Sequence, residues 1–244
     1  MTYKHFIIGG VAAFALAACG GADTDTGDAT VPAAPEAPVE TTSTPAETEL
    51  HSSLQGVAAG DYSLEKTHAF MTVKVGHAGG ISQYRISFTD IDGKLSFDPA
   101  APEDGEITFT INPLSVETNY PGDYKAGHAD SQWESWNEDV ARDGKWLNAD
   151  EHPIITFIST NVERTGDTTG KVTGNLTLLG VTKPVTLDVS YGGVANPPWF
   201  NGRDVIGFDA TTKVNRSEFG MTAFIPSIGD EVTVEFSGEF LQDE

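Results

Sequence analysis

Side chains able to do chemistry are few in this chain and widely spaced. His68, His77, His128, His152 and Arg216 stand among 36 carboxylates, and Cys19 is the single thiol. One Cys excludes an internal disulfide, and no Cys pair or Cys/His cluster has the close spacing of a structural zinc site. A Gly-x-Ser-x-Gly elbow, a His-Glu-x-x-His motif and a phosphate-binding loop are absent from the sequence. His68 and His77 lie at opposite ends of what reads as one strand, roughly 30 Å apart if that strand is straight, so they are poor co-ligands for one metal. Their candidate roles are hydrogen bonding at the strand ends or contact with a ligand head group. Arg216, between Asn215 and Ser217 at a strand end, either pairs with one of the abundant acids or meets such a head group. His128, beside Asp130, reads as surface. The expectation is a protein that is not an enzyme, with no catalytic residue, no metal and no cofactor.

Charge narrows the partners. Fourteen Lys+Arg against 36 Asp+Glu give a formal charge of −22 over 244 residues. Nucleic-acid binding needs clustered bases and is excluded as a reading. Electrostatic docking onto anionic lipid is disfavoured for the same reason. At 39 % hydrophobic and 20 % charged the chain can still build a core.

The elements that must position these residues begin after two segments that are not core. Residues 1–18 combine one Lys with an uncharged apolar run, Phe6–Ala18, too short to span a membrane as a finished helix. Leu16-Ala17-Ala18-Cys19 closes that run and resembles the bacterial lipobox. The resemblance implies acylation at Cys19, removal of 1–18, and anchoring to the membrane through the acylated Cys19. Gly20 after the Cys matches the usual pattern for outer-membrane transfer. An ordinary secretory signal with Cys19 incidental is the alternative. Residues 19–59 are rich in Ala, Pro and Thr and hold seven acids without a base. They read as a disordered acidic tether, reaching ~35 Å as a coil. From residue 60 onward 29 acids face 13 bases, leaving −16.

Residues 60–244 alternate with period two. Ala69-Met71-Val73-Val75, Tyr84-Ile86-Phe88, Ile107-Phe109-Ile111, Ile155-Phe157, Leu176-Leu178, Leu187-Val189-Tyr191 and Val232-Val234-Phe236 each place apolar side chains on one face. Turn signals stand at Asp92-Gly93, Asp104-Gly105, Thr165-Gly166-Asp167, Gly180 through Pro184, and Asn201-Gly202. Lys183-Pro184 reads as part of a hairpin turn. Sequential short strands without interleaved helices predict an all-β fold, a closed antiparallel barrel or a sandwich. Tyr120–Asp150 breaks the alternation. Trp133, Trp136 and Val140 fall on one helical face, so an amphipathic helix capped by Asp130 or Ser131 is expected there, over the barrel or its mouth.

Four segments carry a resemblance: Gly60 through His68 with the strand to His77, His152-Pro153 through Thr160, Val172-Thr173-Gly174-Asn175-Leu176 through Pro184-Val185, and Asn215-Arg216-Ser217-Glu218-Phe219-Gly220. Together they resemble the YceI-like, polyisoprenoid-binding family of bacterial envelope proteins. Glu65 stands where that family usually has Asp, and Tyr84-Arg85 where it has Gly-Phe. The resemblance implies an extended antiparallel lipocalin-like β-barrel with an associated helix, on the periplasmic side of the envelope. Its implied activity is binding a long isoprenoid chain, of the quinone or prenyl-phosphate type, in an apolar tunnel for storage or transport. Tunnel-lining residues are then expected to be Met71, Val73, Val75, Tyr84, Ile86 and Phe88 on the first strands. Ile107, Phe109, Ile155 and Phe157 follow, then Leu176, Leu178, Phe208 and Phe219. The candidate head-group contacts are His68, His77 and Arg216.

Physical arguments bear on both the ligand and the alternative. An isoprenoid tail buries enough surface, at about 25 cal/mol per Å², to bind without polar contacts. The scattered bases favour a neutral head such as a quinone over a diphosphate. The competing class is a structural or protein-interaction module whose barrel is filled by its own side chains, the 13 Phe among them. A tunnel of several hundred Å³ separates the first class from the second.

Overall fold

The computed structural model describes residues 54–244. The 1–18 segment, Cys19 and nearly all of 19–59 lie outside the described residues. Period-two segments become ten strands in one antiparallel sheet. They are β1 (Gly60–His77), β2 (Ser82–Phe88), β3 (Ile91–Phe97), β4 (Glu106–Ile111), β5 (Val116–Glu117), β6 (Ile155–Arg164), β7 (Thr169–Leu178), β8 (Val181–Ala195), β9 (Val205–Asn215) and β10 (Ile228–Gln242). Two short helices, α1 (Tyr124–Gly127) and α2 (Trp136–Arg142), lie between β5 and β6.

The sheet closes because β1 pairs with β10, Val73 opposite Val234. Closure removes the edges of β1 and β10, and the short β5 beside β2 is left as the end of the sheet. β1 pairs with β2 through its C-terminal part and with β3 through its N-terminal part. β2 and β3 therefore act as one interrupted strand, with β4 and β5 beside them, and the barrel is eight-stranded. Its lower end is where β1 starts; its upper end is where β1 stops.

The core is packed in the lower half except for one small space described below. Tyr62, Val194 and Ile206 are 0 % exposed there, and Leu95, Phe97 and Phe240 are buried around them. Below them the incoming chain is tied to the barrel. Asp204 accepts hydrogen bonds from Ala58 N at 2.6 Å and Tyr62 Oη at 3.4 Å, and Asn196 donates to its other oxygen. Val57 is buried and Leu54 packs on the same core, so the packed unit begins upstream of Gly60.

Several local expectations change. Asp92-Gly93 is not a turn but lies inside β3, the chain breaking at Thr89-Asp90 instead. Gly93 is there because a Cβ would come within 2.9 Å of the Phe109 ring. Lys183 and Pro184 belong to β8, opposite Leu176 and Asn175. The turn is Leu179-Gly180, with φ of 52° and 73°, the left-handed pair that a two-residue hairpin requires. In the insertion, α2 starts at Trp136 and its cap is Ser135, whose Oγ accepts from Glu138 N at 3.1 Å. Trp133 precedes the helix and donates its ring N–H to Asp143 at 3.2 Å. His128 is half-buried, stacked on Tyr124 at 4.5 Å between ring centres. β1 also changes phase, since its register against β10 slips between Leu64 and Ala69. Tyr62 and Leu64 point inward below the slip, and Met71, Val73 and Val75 above it.

Candidate ligand-binding cavity

The upper half of the barrel is hollow. A cavity of about 520 Å³ opens there, within the range of small-molecule sites. Strand alternation supplies its wall: Met71, Val73, Val75 and His77 from β1, then Tyr84, Ile86 and Phe88 from β2. Phe109, Ile155, Phe157, Leu176 and Leu178 continue it from β4, β6 and β7. Val73, Val75, Ile86, Leu176 and Leu178 face inward yet are only half-buried, as a wall facing empty space must be. The sequence reading left out the far wall, Val214 of β9 with Ile228, Val232 and Val234 of β10. The alternation of Val232, Val234 and Phe236 was the signal that could have supplied most of it.

A constriction closes the cavity below. Phe109 meets Phe236 edge-on at 5.0 Å and Phe240 at 5.9 Å between ring centres. Beneath lies a second space of about 120 Å³, lined by Ile107, Phe208, Phe109 and Phe236 among others. Phe109 and Phe236 thus border both chambers. Phe219 lies outside the lining of either chamber, 2 % exposed in the turn after β9. His68 is on the outer surface in the β1 slip, its Nδ1 2.6 Å from Glu65 and 3.7 Å from Glu239. The structure therefore separates His68 from His77 and Arg216, which both line the large cavity.

The insertion forms the remaining wall. Tyr120, Trp136, Val140, Trp146 and Leu147 face the cavity from it. A polar staple holds it in place: Asp139, 4 % exposed, accepts from Tyr124 Oη at 2.7 Å and Lys145 Nζ at 2.5 Å. Lys145 also pairs with Asp143 at 2.9 Å. Partial burial opposes both charges. The hydrogen bonds outweigh it, holding the Asp143 carboxyl below and the Lys145 ammonium above their ordinary values.

At the mouth, Arg216 is 3 % exposed and does not pair with an acid as its main contact. Its guanidinium donates to four carbonyls: Ala223 O at 2.7 Å, Gly229 O at 2.8 Å, and Met221 O and Ile228 O at 3.0 Å. Burial pushes its pKa down, and nearby Asp230 opposes that. Asp230 instead accepts from Ser217 Oγ at 2.7 Å and Ser217 N at 2.8 Å, bonds that hold its carboxyl below the usual range. The Trp146 ring lies 6.0 Å from the Arg216 guanidinium. Among the described residues its buried Nε1 is the side-chain nitrogen left without a hydrogen-bond partner. No group of three or more His, Cys, Asp or Glu among the described residues is arranged to hold a metal ion.

This arrangement can hold a hydrophobic ligand in an apolar space, with polar side chains at one end. Comparison with known proteins places the fold among its relatives. A UPF0312 protein of Ectopseudomonas mendocina is 36 % identical over 183 residues, covering 74 % of this chain and 87 % of that protein. Protein YceI of Salmonella arizonae is 35 % identical over 188 residues, covering 76 % and 89 %. The crystal structure of a Campylobacter jejuni YCEI protein matches with TM-score 0.54 and 29 % identity over 67 % of this chain and 88 % of that one. Burkholderia cenocepacia BcnA shares the fold, with TM-score 0.59 at 21 % identity over 72 % and 98 %. The family model described as the YceI-like domain matches residues 62–240, the whole closed barrel, and the chain belongs to that family.

Proposed function

We propose that this protein is a periplasmic lipoprotein that binds a long isoprenoid-type lipid, a quinone or polyprenyl chain, for storage or transport. The observation that carries the reading is the cavity of about 520 Å³ with an almost wholly apolar wall. A side-chain-filled interaction module would have no use for such a space, which forgoes packing along its whole lining. The lipid's tail lies between β1, β2, β6 and β7, replacing water there. Its head sits at the upper end, near His77, Arg216 and Trp146.

The head is neutral in this reading, as in a quinone. Arg216 has five N–H donors and gives four hydrogen bonds to backbone carbonyls, so one N–H is left to meet a diphosphate. Trp146 Nε1 is a buried donor without a partner, a deficit of about 1–3 kcal/mol that a ligand carbonyl would remove if the ring turns its N–H toward the cavity on binding. Anchoring is through acylated Cys19 at the outer membrane, with the residues between it and Leu54 as the tether. His68 has no part in binding.

The test is mass spectrometry of an organic extract from the full chain, purified gently after export in a Gram-negative host. A stoichiometric quinone is expected. A prenyl diphosphate would overturn the head-group assignment. An extract matching a mock purification, from folded protein that also fails to take up added quinone, would overturn the function.

A further inference from the structure

Two loops project past the cavity mouth, and both are apolar at their tips. The first joins β1 to β2. His77 and Tyr84 at its base line the cavity, while Ile81 at its tip is 86 % exposed. The second joins β9 to β10. Met221 and Ile228 line the cavity, while Phe224 and Ile225 between them are 60 % and 38 % exposed. The loops lie side by side, Gly79 N donating to Ser227 O at 3.4 Å. Tyr120, 44 % exposed, continues the rim from the insertion.

Charge is missing from both. Residues 76–84 and 219–229 contain no Asp, Glu, Lys or Arg, in a chain that is 20 % charged and carries −22. The second loop is also held in shape. The Arg216 guanidinium bonds to the carbonyls of Met221, Ala223, Ile228 and Gly229, so Phe224 stays presented to solvent and does not fold back into the cavity. Phe224 keeps a positive φ of 60°, an uncommon backbone state for a bulky residue, and its ring rests 5.8 Å from Trp146. Holding apolar side chains in water without charge nearby is costly unless something apolar meets them.

We infer that these loops are a membrane-docking face: Ile81, Phe224 and Ile225 enter the interfacial region of a bilayer, and the cavity opens directly onto it. The occupant is a lipid surface with uncharged or zwitterionic head groups. Uncharged loops can shed water cheaply there, while the acidic domain behind them is repelled by anionic lipid. The chain enters the barrel at the lower end, through Val57 and Gly60, so docking presents the end opposite the tether. This inference rests on the cavity being a lipid site, since docking at its mouth gives the cargo a path that never crosses water.

The experiment uses the full chain with Cys19→Ser, so that one introduced Cys is its single thiol. An environment-sensitive nitrobenzoxadiazole label is placed at Ile81→Cys, at Phe224→Cys, or at Asp167→Cys in the lower β6–β7 turn as control. Phosphatidylcholine vesicles should brighten and blue-shift the labels at 81 and 224 and leave the one at 167 unchanged. Enrichment in phosphatidylglycerol should weaken the response. The exposed-site double variant Phe224→Ser, Ile225→Ser should lower vesicle affinity of the 81-labelled chain by about tenfold, in proportion to the apolar area removed. Labels at 81 and 224 that stay wet, or a control that responds equally, would overturn the inference. So would labels already shielded before vesicles are added, which would mean that a second copy or residues 1–53 cover the face. Quinone uptake from detergent micelles is measured alongside. Uptake that persists in the double variant while docking is lost separates the two sites, whereas loss of uptake in the unmodified chain refutes the cavity reading and not the docking face.

Discussion

Phe109→Ala tests both the packing of the barrel and the reach of its ligand. Phe109 is 9 % exposed, meets Phe236 and Phe240 edge-on, and stands between chambers of about 520 and 120 Å³. Truncating a buried Phe costs about 3–5 kcal/mol, and each edge-on pair contributes ~0.5–1.5 kcal/mol of such a loss. The upper end applies to the lipid-free protein. Gly93 beneath the ring has no side chain to move into the gap, and both flanking chambers are already empty. Against a typical total of about 5–15 kcal/mol the variant remains folded. In the loaded protein the two chambers become one, and a tail extending into the gap restores part of the contact at about 0.8 kcal/mol per buried CH₂. The loss should therefore fall by roughly 2 kcal/mol on loading, equivalent to three methylenes. Urea unfolding of delipidated and quinone-loaded protein, wild type and variant, gives all four values. A loss under about 2 kcal/mol without lipid would contradict the packing argument, which rests on the large-to-small scale. An equal loss with and without lipid would show that the tail stops above the constriction.

Two glycines should respond differently to Ala. At Gly174 a Cβ would lie 2.6 Å from the Ile158 carbonyl oxygen and 2.4 Å from the Phe157 ring, and backbone cannot retreat, so Gly174→Ala should cost about 3 kcal/mol in thermal or urea unfolding. At Gly238 the obstacle is the Phe236 ring at 2.5 Å, which borders the cavity and has room to move, so Gly238→Ala should cost about 1 kcal/mol; equal costs would sink the distinction. Trp146→Phe removes the unpartnered donor, so it should leave lipid-free stability within about 1 kcal/mol while weakening a quinone more than a plain hydrocarbon of equal length, as titrations with both would read. Burial, reinforced by Asp204, raises the Tyr191 hydroxyl from 10.0 to about 12. A raised folded-state pKa contributes stability that is complete below pH 10 and is lost as pH climbs from 10 to about 12, so phenolate absorbance should lag behind that of exposed tyrosines and then rise with unfolding. Ionisation of Tyr191 at pH 10 in folded protein would contradict it.

Much of the wall was legible because strand alternation is strict where one face is buried. Met71, Val73 and Val75 share a face in any extended chain. The sequence did not reveal the phase change between Leu64 and Ala69, since a slip in register is defined by the partner strand and β10 is distant in sequence. Asp92-Gly93 misled for a related reason. A glycine that admits a turn and a glycine that admits a neighbouring ring look alike until Phe109 is known to cross above it. Lys183-Pro184 drew the hairpin turn downstream because Pro is a turn residue, whereas the left-handed pair Leu179-Gly180 makes the bend. In the insertion, Trp133 at helical spacing from Trp136 outweighed the Ser135-x-x-Glu138 box, which marks the true start. Acids abound in the sequence and suggest an ion pair for Arg216, but chain reversal brings four backbone carbonyls to its guanidinium.

The two sequence-level alternatives, hollow and filled, describe different halves of one barrel. Stability resides below: Phe97, Phe109, Phe208, Phe236 and Phe240 form a connected aromatic cluster around the small space, Tyr62 is buried in the same core, and Asp204 ties the incoming chain to it. The ladder closes through β3 and β4 below, whereas above them β2 and β5 end the sheet and the insertion stands in the gap, so the upper half is held open by backbone pairing around most of its circumference. That half can therefore stay open at a cost set only by missing dispersion contacts, and a bound lipid supplies those. The insertion is held by Ala141 and Leu147, which join the core, and by the Tyr124 hydroxyl with the Asp139–Lys145–Asp143 staple. Such an attachment, beside a cavity wall of half-buried valines and leucines, is what an open site requires of its surroundings.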